Sequence, residues 1–423
     1  MHYIKSNSEK KNKFMYILEA AFEYLISVLV SNSFLATLTK QLGISDSLTG
    51  ILSSIISLGC LFQLISITIG NRNSKRLVVL LSIINQVLFM LLYIIPLSRA
   101  SDNVKTVAFI ICIVLAYLIY NIAHPKKINW LMSHIDDSQR GIFTANKEIV
   151  SLIIGMVFSL VMSAVVDHYI EQGKVKTAFI IAAVVIFALT VLHTVALLLT
   201  DEKEVVENTG KRLKENLRDI LNDKQILKVT AVVVVYNVAN YVSVPFYSTY
   251  QLNELGLSLT FMSIMSVCTS VVRALASKPW GRYADKNSFA VMLQKCFYFL
   301  ILQFVCFILT TASNAKIMMV IFYIFHGIAI AGVNSSLMNM VFDYSPVEKR
   351  ADTLAISQAA SGLAGFLATL AVSPLVSLIQ RKGLHIFGIT VYAQQVISLI
   401  SLVIIIFLIA YLKTFKKESK NNM

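Results

Sequence analysis

Ionisable and amide side chains inside long apolar runs are where this chain could do chemistry, because a charge in lipid is expensive and is seldom kept without a task. Glu19 and Glu23 lie four residues apart in the first apolar run and share one helical face, which Ser27 and Ser31 continue. At about 1.5 Å per residue from Phe14, Glu23 falls near the middle of a bilayer. A carboxylate there can carry a proton near neutral pH. Glu23 is therefore the leading candidate for a proton or cation carrier, and Glu19 the second. The plainer reading has Glu19 facing inner water and Glu23 paired structurally with a base.

Further along, Tyr117, Tyr120, Asn121 and His124 form one stripe ahead of Pro125, and His326 and Asn334 share another run. His124 and His326 could titrate near neutral pH and stand as reserve coupling residues, although a lone histidine is more often a hydrogen-bonded packing group. Asn237, Asn240 and Tyr241 follow an i, i+3, i+4 pattern. Amides on one face of a membrane helix line a cavity or bond a neighbouring helix. Tyr120, Asn121, Asn237, Asn240, Tyr241 and Asn334 are the substrate-cavity candidates. Arg273 joins them, since it could bind an anionic group, pair with a buried acid or snorkel to inner water. Gln358, Ser361, Gly362 and Gly365 read as close packing against a neighbour.

The elements that must position these residues are membrane helices. The chain has 423 residues, is 57% hydrophobic and only 14% charged, and its mean hydropathy is +0.72. Helices are predicted over 14–39, 47–69, 77–97, 106–132, 141–167, 177–199, 226–252, 258–280, 288–311, 316–342, 351–379 and 385–412, most of them about as long as a bilayer requires. The first residues are polar and basic and the run after Lys13 is too long for a signal-peptide core, so no cleaved leader is expected. The net charge of +14 does not point to nucleic acid. Lys and Arg concentrate roughly threefold in alternate loops, which places both termini in the cytoplasm. The longest connection, 201–225, carries Leu213, Leu217, Ile220 and Leu221 at helical spacing among basic residues, the pattern of an amphipathic helix on the inner membrane face.

The five cysteines all fall in apolar runs without metal-ligand spacing. No Gly-rich phosphate loop, metal cluster or nucleophile triad is visible, so neither an enzyme nor an ATP-driven pump is expected, and no metal or cofactor. A gradient must supply the energy of any active transport.

Short polar loops between the runs carry a resemblance. The stretch from Trp280 to Ser288 holds Gly281, Arg282, Ala284, Asp285, Lys286 and Ser288. It is similar to the loop signature Gly-x-Leu-Ala-Asp-Arg-x-Gly-Arg-Arg of the major facilitator superfamily. About half a chain earlier, Asn71-Arg72-Asn73-Ser74-Lys75-Arg76 matches its last part, with Asn71 at the acid position. The first copy keeps the basic pair and the second keeps the acid. Arg140-Gly141 and Arg350-Ala351 repeat at nearly the same offset. Two markers with one offset point to a duplicated six-helix unit.

The resemblance implies an all-α membrane protein with twelve spans in two pseudo-symmetric six-helix bundles, 1–200 and 226–423, joined by the 201–225 linker. It also implies central-cavity helices first, fourth, seventh and tenth, where the polar stripes fall. Gly281, Asp285, Lys286, Arg72, Lys75, Arg76, Arg140 and Arg350 become gating-loop candidates. Asp285 is expected just before the next helix, accepting from its free N–H groups, with Gly281 allowing close backbone approach. Two features of drug–proton antiporters in the family are missing: the Gly-Pro and Gly-Gly pairs around Gly155, and an arginine in the fourth helix. The expected protein is a monomeric, multi-pass secondary transporter of the cytoplasmic membrane. It would move a small polar organic solute by alternating access, coupled to a proton or cation. The rivals are a drug or peptide exporter, and a non-transporting receptor or scaffold that kept the fold.

Overall fold

The computed structural model describes residues 2–59, 61–62, 74–136, 139–202, 222–346, 350–386 and 389–421. Among the described residues the secondary structure is helical apart from two paired two-residue strands, β1 (His385–Ile386) antiparallel to β2 (Ile389–Thr390). Among the described residues ten helices are long and apolar enough to cross a membrane, or eleven if one bent pair counts as a single span. The predicted span 47–69 is represented by a shorter apolar helix, Asp46–Leu58. The amphipathic helix expected over 213–221 and the candidate Arg72 lie outside the described residues.

The chain divides into two compact units, residues 1–44 with 61–210, and residues 45–60 with 211–423. The first contains α1 (His2–Leu29), α2 (Asn32–Gln41), α4 (Ser74–Ile94), α5 (Asp102–Met132), α6 (Arg140–Glu171) and α7 (Val175–Leu199). Helices α1 and α2 meet at a 41° bend. Ser27 and Ser31 spend their hydroxyls on the carbonyls of Tyr24 and Ser27, a pattern that bends helices. Asn32 takes the left-handed conformation there, φ +47°, which asparagine tolerates better than most residues. The Leu29 carbonyl left over at the break accepts from the buried Tyr93 hydroxyl of α4. Helix α6 shows why hydrophobicity all round means lipid. Ile149, Ile153, Val157 and Val161 recur every fourth residue and are each more than half exposed, a stripe that only hydrocarbon can cover. On its other face, a side chain at Gly155 would collide with the Tyr24 ring of α1, so glycine sets that helix contact.

The second unit contains α3 (Asp46–Ser54, extended by a tight turn to Leu58), α8 (Lys224–Ser243), α9 (Leu259–Asn287), α10 (Phe289–Ile308), α11 (Ala315–Asp343), α12 (Arg350–Lys382) and α13 (Ala393–Asn421). Its aromatic core centres on Phe297, Phe307 and Phe322 with Tyr236 and Tyr250. Helix α12 lies against α3 because Gly362 leaves room for the Ser57 carbonyl, with which a Cβ would collide.

The polar stretch 280–288 is not a loop. Helix α9 runs on to Asn287, and Ser288, at φ +131°, both ends it and caps α10 by accepting from the Val291 N–H. Asp285 is therefore an exposed residue of the last helical turn, where the dipole opposes a carboxylate, rather than a cap of the next helix. A Cβ at Gly281 would meet no neighbouring element within 4 Å, so no close helix contact requires this glycine. The close fit nearby is made by Trp280, whose indole N–H donates to the Ile328 carbonyl of α11 at 2.8 Å.

Candidate functional site

In the first unit, the turn spacing on α1 delivers Glu19 and Glu23 to one point, and Lys127 of α5 arrives between them. Its ammonium lies 2.5 Å from a carboxylate oxygen of each. Glu19 also faces His193 of α7, whose Nε2 is 3.2 Å away. Glu19, Lys127 and His193 are almost entirely buried, while the Glu23 side chain keeps 21% of its surface open. Glu19 thus does not face water, and the base beside Glu23 is Lys127, not Arg273. Burial without partners would be prohibitive for each of these charges, and mutual pairing is what makes the cluster tolerable. Two carboxylates and one ammonium leave the cluster one negative charge in excess when His193 is neutral.

Lys127 and His193 were not singled out from the sequence, although a signal for Lys127 was there. The stripe Tyr117, Tyr120, His124 extends by one more step to residue 127. The ligand atoms of Glu19, Glu23 and His193 lie within 4.8 Å of one another, a spacing that would suit a cation, and the Lys127 ammonium is the cation found beside the two carboxylates. Tyr120 and His124 stand in the same neighbourhood, ring centroids 5.1 Å apart, and the charges of Glu23, Lys127 and Glu19 act on both. Asn121 is buried and donates to the Tyr117 carbonyl within its own helix.

The second unit holds a cavity of ≈ 330 Å³ between α8, α11 and α12. Asn237 and Asn334 line it, as do Tyr236, Ser357, Gln358 and Ser361. Gln358 and Ser361, expected to pack against a neighbour, also belong to these walls. Asn240, Tyr241 and Arg273 do not. Tyr241 covers Gly365 of α12, and Arg273 is an exposed residue of α9. His326 points at α10, with Nδ1 3.0 Å from Gln303 Oε1, and stacks on Phe322.

A second buried carboxylate in this unit was also missed. Asp46, at the first turn of α3, accepts from Asn253 Nδ2 at 2.7 Å, Gln380 Nε2 at 2.8 Å and Gln394 Nε2 at 3.0 Å. The remaining marker residues serve helix ends. Lys75 donates to the carbonyls of Leu198 and Thr200 at the end of α7, and Arg350 Nε to that of Phe342 at the end of α11. Arg76, Arg140 and Lys286 are exposed.

Asp201, just beyond α7, gathers a further cluster in the first unit. Ser8 and Asn12 donate to its carboxylate, Lys11 pairs with it at 2.9 Å, and Trp130 Nε1 donates to its carbonyl at 3.1 Å. The hydrogen bonds from Ser8 and Lys11 hold its carboxyl at about 2, below the ordinary 3.8.

The family model described as Major Facilitator Superfamily matches residues 14–369 and 232–421, and the chain belongs to that superfamily. Its fold is similar to that of the nucleoside transporter NupG (TM-score 0.69, 12% identity, covering 97% of this chain and 99% of that one). It is similar also to a bacterial metal transporter (0.66, 12%, 97% and 98%). A bacterial homolog of the human lysosomal transporter Spinster, in an inward-facing unoccupied conformation, gives 0.64 at 14% identity, covering 96% of each chain. No curated protein sequence matches significantly. The chain is thus a multi-pass membrane protein with a transporter fold.

Proposed function

We propose that the chain is a secondary active transporter that moves a small polar organic solute across the cytoplasmic membrane by alternating access, coupled to a proton or cation. In this reading the protein works as a monomer with both termini in the cytoplasm. Residues 1–200 and 226–423 form two six-helix halves joined by the 201–225 linker. The observation that carries it is the Glu19–Lys127–Glu23 cluster. Its one excess negative charge is neutralised by a single proton, and Glu23, the more open carboxylate, is the place for it. A proton there still leaves Glu19 and Lys127 as a matched pair, so the cluster can load and unload without stranding a buried charge. Protonation of Glu19 would instead disturb the contact with His193.

The test pairs two assays on reconstituted protein. Glu23→Gln keeps the shape and neutrality of the protonated acid, so it should lose accumulation driven by an imposed proton gradient and retain counterflow with substrate on both sides. Accumulation at the wild-type level removes Glu23 as the coupling residue. Loss of counterflow as well makes it a substrate ligand or a structural residue.

A further inference from the structure

Three carboxamides in the second unit are uncommitted. Among the described residues none of the hydrogen bonds formed engages the side chains of Asn237, Asn334 or Gln358, although all three sit within apolar membrane helices. An amide at that depth normally bonds a neighbouring helix, as Gln303 does with His326 and Gln394 with Asp46. These three converge instead on the ≈ 330 Å³ cavity, at the lower end of the ~300–1,000 Å³ range of ligand pockets. Ser357, Ser361 and Tyr236 line it too, the Ser357 hydroxyl bonded to that of Thr230 and the Ser361 hydroxyl to the Gln358 carbonyl. The other walls are aliphatic, and no Asp, Glu, Lys, Arg or His is among them.

We propose that this cavity is a solute subsite for an uncharged, hydrogen-bonding molecule of nucleoside or disaccharide bulk, read by Asn237, Asn334 and Gln358. This rests on the transporter reading above. Each carboxamide offers two donors and an accepting oxygen, so three of them can match hydroxyl, carbonyl or amide groups in either sense. An ionised group would give up part of its hydration there and meet no opposite charge on these walls. Asp46 shows what this unit does when amides must hold a charge: the carboxylate sits at a helix start, where free N–H groups and the positive dipole end assist. The three cavity amides are mid-helix residues of α8, α11 and α12, away from any helix start.

The experiment is thermal unfolding of the purified full chain with uridine, sucrose and N-acetylalaninamide as neutral probes, and with glucuronate and ornithine as ionised ones. At least one neutral probe should raise the midpoint while the ionised probes leave it unchanged. Asn334→Ala and Gln358→Ala, both at exposed side chains, should each raise the concentration for half-effect roughly threefold to tenfold. Their midpoints without probe should match the wild type, which verifies folding. Stabilisation by an ionised probe alone, a neutral response indifferent to both substitutions, or silence of every neutral probe overturns the proposal. Glu23→Gln should keep the neutral response. Its loss of gradient-driven accumulation is read in flux rather than binding, so the coupling and recognition proposals fail separately.

Discussion

Two buried acidic centres in this molecule are neutralised in opposite ways. In the first unit Glu19 and Glu23 close on the Lys127 ammonium. In the second, Asp46 is held by three neutral carboxamides at a helix start. Here one cation serves two acids, so removing Lys127 leaves both carboxylates stranded. Amide donors share a charge without owning one, so removing the acid leaves only unmet N–H groups. The first arrangement suits a site that must gain and lose a proton. The second suits a fixed anchor, here tying the start of α3 to the residues after α8, the end of α12 and the start of α13.

The largest effect should come from Lys127→Met, which strands two carboxylates. A loss of about 3–5 kcal/mol is expected, read as a lower thermal midpoint in detergent. Adding Glu19→Gln and Glu23→Gln to that variant should recover most of it, because no charge is then left unpaired. A triple variant as unstable as the single one would mean that packing, not charge, holds the cluster.

Asp46→Ala should cost less, about 1–3 kcal/mol, from buried amide donors left without an acceptor. Here the rescue differs: Asp46→Asn, which keeps one accepting oxygen, should recover part of the loss. If Asp46→Asn is no better than Asp46→Ala, the charge itself is what the three amides require, and the contrast between the two centres narrows.

The smallest effect belongs to Asp201. Its side chain is 45% exposed, so Asp201→Asn should cost less than about 1 kcal/mol near neutral pH. Because its folded pKa of about 2 lies below the ordinary 3.8, its contribution is present above pH 3.8 and fades as the pH falls towards 2. The gap between wild type and Asp201→Asn, followed by thermal unfolding from pH 6 to pH 3, should therefore narrow on the acid side. A gap that stays constant would assign the effect to the hydrogen-bonding shape of Asp201 rather than to its charge.

How far the sequence reached differs residue by residue. Glu19 and Glu23 were legible because a charge stands out in an apolar run and four-residue spacing puts both on one face. Lys127 was half legible: the stripe through His124 reaches it, but next to Lys126 near a predicted helix end it passes for a loop-edge charge. Asp46 at a helix start looks like an ordinary first-turn acid, and its partners lie more than 200 residues away in the chain. Asp285 was misplaced for a local reason. A polar stretch between apolar runs resembles a loop, yet nothing in it breaks a helix until Ser288.

Helical, membrane-spanning character was legible in the chain alone, because bilayer thickness is written in the length of apolar runs, and the family was legible in the 280–288 and 71–76 motifs. So were the helices that carry polar stripes. Which stripes are spent and which stay open depends on packing. Asn121 bonds within its own helix, Tyr241 covers Gly365, His326 is taken by Gln303, while Asn237 and Asn334 meet Gln358 at a cavity. The physical reason is that spacing fixes a side chain's face but not its neighbour. A hydrogen bond or ion pair between distant helices depends on how those helices pack, which no local pattern records.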